Sequence, residues 1–268
     1  EIVIGDVSDS EQVRKSMQGM NGCFHLAAIS SVQKSNEEWA RTHEINQGGT
    51  INVLDAAKTD RIPVIYASSA AVFGDNAEMP LNESSTARPL TGYGADKLGS
   101  EHQARVASVV HGVPTAGMRF FNVYGSRQDP SSPYSGVISI FVDRILEKKN
   151  LTIYGDGEQT RDFVYVKDVV AFLRAAMENV DCNASVYNVC TGKAISVNQL
   201  AKTIMSITGN QILIAHKQQR AGDIRVSVGD PSFSGRTLGV TSKQALMNGL
   251  REYIEYVIEN KTAAIELL

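Results

Sequence analysis

Short apolar runs alternate along this chain with longer stretches in which apolar residues recur at helical spacing. The runs fall at 2–4, 23–27, 64–68, 115–120 and 186–189 and are rich in β-branched and aromatic residues. Most are continuous rather than alternating, the pattern of parallel strands covered on both faces. Between them the spacing predicts helices at 10–18, capped by Asp9, and at 37–58, with Ile45, Val53, Leu54 and Ala57 inward. Further helices are predicted at 93–111, with Leu98 and Val106, and at 167–177, with Val170, Leu173 and Ala176. This alternation predicts an α/β fold with a doubly wound parallel sheet.

The second half is more mixed. Strands are expected at 151–154 and 211–215, helices at 197–208 and 243–259, and loops where Gly and Pro cluster at 125–136 and Gly, Arg and Asp at 220–230. The reading is a smaller mixed α/β subdomain packed on the sheet edge. The chain crosses between the two parts, so residues 1–125 and 163–190 form the larger part and 126–162 with 191–268 the smaller.

Composition narrows the classes. The 268 residues, 43% hydrophobic, are enough to bury a large core. A net charge of −3 offers no electrostatic case for nucleic acid or an anionic membrane as partner. No apolar run approaches ~18 residues, so no transmembrane helix is expected. Cys23, Cys182 and Cys190 are odd in number and form no C-x-x-C pair, and the five histidines have no metal-ligand spacing. They read as buried thiols of a reducing, cytoplasmic protein, with neither a disulfide framework nor a metal site.

The sharpest chemical signal is Tyr93-Gly-Ala-Asp-Lys97. On a helix, i and i+4 share a face, which brings the Lys97 ammonium near the Tyr93 phenol. A nearby cation favours phenolate and is expected to lower the tyrosine pKa, making Tyr93 a general base for a hydroxyl proton. Chance alone would give roughly 0.4 such pairs in this chain. The strand running into Ala67, Ser68 and Ser69 changes the weight of the pair, because ligands of parallel α/β sheets bind at the carboxyl ends of strands. Ser69 is expected to bond a substrate hydroxyl and share its proton with Tyr93.

With Ser68-Ser-Ala-Ala-Val-Phe-Gly74 ahead of Tyr93-x-x-x-Lys97, the chain resembles the extended short-chain dehydrogenase/reductases. Further motifs follow in order: Gly5-Asp6-Val7, His25-Leu-Ala-Ala28, Asn46-Gln-Gly-Gly-Thr50, Arg119-Phe-Phe-Asn-Val-Tyr-Gly125, Arg127-Gln-Asp-Pro130, Gly155-Asp-Gly-Glu-Gln-Thr-Arg-Asp162 and Arg220-Ala-Gly-Asp223. The series is similar to the UDP-glucose/UDP-N-acetylglucosamine 4-epimerases over nearly the whole chain. The resemblance implies a Rossmann-like sheet, NAD as a retained cofactor and a UDP-sugar substrate. It implies catalytic roles for Ser69, Tyr93 and Lys97. Asp6 and Val7 would sit by the adenine, and Leu26, Ala27, Ala28 and Asn46 along the cofactor channel. Ala67, Ser68, Tyr93, Lys97 and Phe120 would lie around the nicotinamide end. Ser31, Ser69, Asn122, Arg161, Arg220, Asp223 and Ser227 would hold the nucleotide sugar. It also implies a homodimer, because the helices at 37–58 and 93–111 correspond to those that pair in the family.

Related dehydratases and decarboxylases carry an acid just after the strand-end hydroxyl, where this chain has Ala70 and Ala71. That favours 4-epimerisation through a 4-keto sugar. Ser227, four residues after Asp223, lies at the family's gate beside the hexose 2-substituent, and its small side chain implies room for an N-acetyl group. Another nucleotide-sugar enzyme of the same fold, or a truncated sugar-nucleotide-binding relative without catalysis, remain the alternatives. One departure is large. The family opens with a strand, a Gly-x-x-Gly-x-x-Gly turn and a helix, whereas this sequence starts at Glu1 in what reads as a later strand. The expectation is a chain lacking a β-α-β segment of roughly 50–60 residues, with weak or absent NAD binding of its own.

Overall fold

Four parallel strands carry the larger part of the chain. A computed structural model describes residues 1–130, 132, 136–219 and 223–266. In chain order its elements are α1 (Ser10–Met17), β1 (Cys23–His25), α2 (Val32–Glu37), α3 (Trp39–His43), a π-helical turn (Glu44–Gly48) and α4 (Gly49–Ala57). They continue with β2 (Val64–Ser69), a 3₁₀ turn (Ala70–Val72), α5 (Gly92–His111), β3 (Thr115–Phe120), β4 (Asn122–Tyr124), α6 (Val137–Leu146), β5 (Leu151–Tyr154), β6 (Thr160–Arg161) and β7 (Phe163–Tyr165). Last come α7 (Val166–Asn179), β8 (Ser185–Val189), β9 (Ile195–Ser196), α8 (Val197–Thr208), β10 (Ile214–Lys217), β11 (Val226–Ser227), α9 (Ser232–Leu238) and α10 (Leu246–Glu266).

The main sheet has the order β1-β2-β3-β8, all parallel, with Val64 opposite Thr115 and Gly117 opposite Val186. Because side chains alternate along a strand, Val64 and Tyr66 enter one core and Ile65 the other. On the first face α1, α4 and α5 pack through Val13, Met17, Val53, Leu54 and Ala104. On the second lies α7, through Val169, Phe172 and Ala176. Helices on both faces make this the doubly wound α/β sheet that the continuous apolar runs predict. A separate core of α6, α8, α10, β5 and β7 holds the remainder, with Phe141, Ile145, Leu200, Ile204 and Tyr253 buried. Small sheets complete it: β5 with β10, β4 with β7, and β6 between β11 and β9.

Local chemistry sets the helix ends. Asp9 accepts from the Glu11 and Gln12 N–H groups, Thr91 from Gly94 N–H, and Ser196 with Gln199 forms a capping box on α8. Gly112 ends α5 at φ +67°, a left-handed conformation that costs glycine little.

Four expectations are corrected. No strand forms at 2–4: no described strand lies beside that segment, so it has no ladder to join, and Ile2 and Ile4 are 91% exposed. The helix expected at 37–58 is interrupted by non-helical backbone at Glu38 (φ −114°, ψ 50°) and by the π turn. Periodicity does not reveal that one-residue insertion. The strand expected at 211–215 lies three residues later, where Lys217 comes opposite Tyr154. The last helix starts at Leu246 because Ser242 Oγ and the N–H groups of Lys243 and Gln244 all donate to Asp168 Oδ2 (2.6, 3.1 and 2.9 Å).

One charged pair ties the sheet to α5. Arg119 of β3 makes two bonds to Glu101 of α5, Nε to Oε1 at 2.8 Å and Nη2 to Oε2 at 2.7 Å, with both side chains under a tenth exposed. Ser68 of β2 donates to the same Glu101 Oε1 at 2.5 Å, and Arg119 Nη1 donates to the Glu83 carbonyl at 3.1 Å. The guanidinium also stands over the Phe73 ring, 4.8 Å from its centroid. Removing one partner of such a pair strands a buried charge, whereas replacing both with apolar groups is often neutral. Glu101→Gln is therefore expected to cost about 3–5 kcal/mol in urea denaturation, and Glu101→Met with Arg119→Met far less. Equal losses in the two variants would contradict this account.

Candidate active site

Ser69 ends β2, and its hydroxyl accepts from the Ala71 N–H at 3.1 Å as the chain turns into the 3₁₀ segment. Tyr93 and Lys97 lie one turn apart at the start of α5. Ser69 lies near enough to the Tyr93 phenol to act on its pKa. Lys97 is buried, donates from Nζ to the Ala67 carbonyl at 2.8 Å, and lies 5.7 Å from the Tyr93 ring centroid. The structure thus brings the three expected catalytic side chains together at one strand end. Their electrostatics differ from the expectation. Burial raises the Tyr93 pKa and Ser69 opposes the rise, while the Lys97 ammonium is directed to the Ala67 carbonyl. Burial also lowers Lys97 to about 8.

Below them runs a polar chain. Burial, and then the Lys97 charge, push His25 down to about 4, so it is neutral near pH 7. The Thr50 hydroxyl gives its proton to the Asn46 carbonyl at 2.7 Å, which leaves His25 Nε2 as the donor to Thr50 Oγ1 at 3.1 Å. Asn46 sits in the π turn, fully buried. Its Oδ1 accepts from Ile29 N–H at 2.8 Å and its Nδ2 donates to the Ile29 carbonyl at 3.0 Å, which fixes the segment after β1.

On that segment, Leu26 is about half exposed beyond the end of β1, followed by Ala27 and Ala28. Ser31 caps α2 through Lys34 N–H at 3.1 Å. Asp6 accepts from Ser8 N–H and Oγ and pairs with Arg41 at 3.0 Å; the Ser8 bonds, more than Arg41, hold its carboxyl low. The neighbouring Val7 packs on Gly49, where a Cβ would come within 2.6 Å of Val7 Cγ2. Ser68 is committed to Glu101, and Phe120 ends β3 next to Asn122.

A cavity of about 710 Å³ opens between the two parts of the chain. Ala71 and Thr91, close in sequence to Ser69 and Tyr93, line it, as do Asn122, Arg161 and Asp223, and the strand β5 at its other wall. Arg161 Nη2 bonds Asp223 Oδ1 at 2.7 Å, and Arg161 Nη1 donates to the carbonyls of Thr160 and Ile224. Ser227 pairs in register with Arg161. Arg220 lies outside the described residues. Two groups escaped the sequence reading: Glu101, whose signal was its place four residues beyond Lys97 on the same helix face, and Asp162, hidden beside Arg161 in a quoted motif.

The profile of the NAD dependent epimerase/dehydratase family matches residues 1–190. The chain is 31% identical over 236 residues to the UDP-glucose 4-epimerase of Mycolicibacterium smegmatis, covering 87% of this chain and 74% of that one. Its fold is similar to that of a UDP-glucose 4-epimerase from Thermotoga maritima solved with UDP-glucose (TM-score 0.92, 34% identity, 96% of this chain and 84% of that one). It is also similar to a UDP-N-acetylglucosamine 4-epimerase from Methanobrevibacter ruminantium M1 in complex with UDP-N-acetylmuramic acid (TM-score 0.92, 33% identity, 97% and 83%).

The buried ammonium carries a measurable signature. With Lys97 at about 8 in the fold and near 10.4 when unfolded, the unfolded chain binds more protons between these values. Stability must therefore rise with pH across that window. Relative to Lys97→Met, the wild-type chain should gain on the order of 3 kcal/mol between pH 7 and 10.5 in urea denaturation. A difference that stays flat or falls would contradict a desolvated ammonium.

Proposed function

Since the chain belongs to the NAD dependent epimerase/dehydratase family, we propose that it inverts C4 of a UDP-hexose or UDP-N-acetylhexosamine through a 4-keto intermediate. The observation that carries this reading is the meeting of Ser69, at the end of β2, with Tyr93 and the buried Lys97 ammonium 5.7 Å from the Tyr93 ring centroid, at the start of α5. Ala70 and Ala71 follow Ser69, so the turn offers no acid there for elimination or decarboxylation.

Tyr93 takes the proton of the sugar 4-hydroxyl and returns it when the 4-keto group is reduced. Ser69, beside Tyr93 at the strand end, orients that hydroxyl and passes its proton. Lys97 is the cation available to favour the phenolate. NAD, when bound, supplies the acceptor and then the donor of the C4 hydride, so there is no net redox change. The residues present fit its nicotinamide ribose: the buried Lys97 ammonium has three donors and gives one to Ala67, leaving two for a ribose diol. Arg161 is half-buried, and burial lowers its pKa; a diphosphate would offer it a second anionic partner beside Asp223. The small side chain at Ser227 supports acceptance of an N-acetyl group. Three cysteines without a disulfide fit the cytoplasm, where thiols stay reduced.

Proton NMR of the nucleotide sugar, run with NAD on a form of the protein that binds NAD, tests this reading. UDP-glucose and UDP-N-acetylglucosamine should each yield the C4-inverted sugar, and Tyr93→Phe should lower kcat by about 10²–10⁴-fold. Ser227→Tyr should remove turnover of the N-acetyl sugar selectively. A 4-keto-6-deoxy product would overturn the assignment.

We also propose that two copies pair through α4 and α5. Ile51, Val106, Val109 and Val110 are between 40% and 67% exposed on these two helices, an apolar surface that pairing would cover. Light scattering should give twice 29.0 kDa, and Val106→Glu with Val109→Glu should give the monomer mass. A wild-type monomer at micromolar concentration would argue against the pairing.

A further inference from the structure

Asp162 follows Arg161 directly, is fully buried, and has no cation beside it among the described residues. Among the described residues, its carboxylate is held by neutral donors. Oδ1 accepts from Thr191 N–H at 2.8 Å and from Thr191 Oγ1 at 2.7 Å. Oδ2 accepts from Gly192 N–H at 2.8 Å and from Gly229 N–H at 3.4 Å. The backbone carbonyl of the same residue accepts from Asn122 N–H at 2.9 Å and Asn122 Nδ2 at 3.3 Å. One residue therefore touches the segments that carry Asn122, Arg161 and, two positions before Gly229, Ser227.

Burying a carboxylate without a cation is costly unless several donors converge on it. Four donors from two separate segments do so here. Gly229 makes the approach possible, because a Cβ there would stand 2.7 Å from both Cys190 Sγ and Phe121 Cζ. The Gly229 segment is held from its other side by Leu81, whose N–H donates to Val228 O at 2.9 Å and whose carbonyl accepts from Asp230 N–H at 2.7 Å. The exit of β11 is thus fixed between Leu81 and Asp162.

We propose that Asp162 is the positioning residue of the nucleotide-sugar site, setting the spacing of Asn122, Arg161 and β11 from one buried carboxylate. It touches no substrate and acts through these neighbours. The inference rests on the nucleotide-sugar reading above and adds the group that holds that site in register. Asn at 162 keeps the shape but presents an NH₂ that cannot accept from N–H donors.

The test uses the whole chain and UDP as the probe, so that turnover and NAD do not enter. Calorimetric titration should show UDP binding weakened by about 10- to 100-fold in Asp162→Asn, the range expected when binding groups shift by about 1 Å. Amide hydrogen exchange should accelerate at Thr191, Gly192 and Gly229 while β2 and β3 keep their protection. Thr191→Val, which deletes one donor, should show a smaller loss in the same direction and carries the test if Asp162→Asn does not fold. UDP affinity unchanged in the variants that fold would overturn the inference, as would exchange accelerated equally in β2 and β3, the mark of general destabilisation. Failure of the wild-type chain to bind UDP would instead overturn the nucleotide-sugar reading.

Discussion

A carboxylate and a guanidinium, both out of water, set the geometry on which this site is built. Glu101 and Arg119 hold α5 against β3 by two parallel bonds, and Ser68 brings β2 into the same contact. Tyr93 and Lys97 lie on α5, and Ser69 follows Ser68. The three side chains proposed as catalytic therefore inherit their spacing from a pair one to two helical turns away. A fork of two bonds fixes rotation as well as distance, which a hydrophobic contact of the same area does not. The energetic value of such a pair is small or negative against apolar replacements; its effect lies in the orientation it leaves.

The cavity lies where two separately packed cores meet. One side of it is the doubly wound sheet, with Ala71 and Thr91 near Ser69 and Tyr93; the other is the α6, α8 and α10 core behind β5. Rigid strand ends on one side and a small three-stranded sheet on the other divide the labour. On the proposed function, proton transfer belongs to the first and substrate grip to the second. Ligands of parallel α/β sheets bind at strand carboxyl ends for this reason, since only there do side chains from several strands converge without breaking the ladder.

Much of this was legible in the sequence because periodicity and spacing are local. The strand 115–120 and the helix 197–208 follow from apolar patterning and capping alone. Ser69, Tyr93 and Lys97 come together because i and i+4 share a helix face and because strand ends face one side. What escaped depends on partners distant in the chain. Nothing near residues 2–4 says whether a strand will lie beside them. The π turn needs the Asn46–Ile29 contact, 17 residues away. Asp162 looks like any loop acid until Thr191 and Gly229 close around it, and the pKa of Tyr93 depends on a depth of burial that helical spacing does not encode.

Asn46 gives its amide oxygen and nitrogen to the N–H and carbonyl of one residue, Ile29, as a neighbouring strand would give its peptide group. The side chain stands in for a peptide group, pairing the backbone four residues past the end of β1. Aspartate there lacks the donor, glutamine overshoots by a methylene, and serine cannot present both functions in one plane. At that position hydrogen-bond parity and side-chain length together contract the amino-acid alphabet to a single letter.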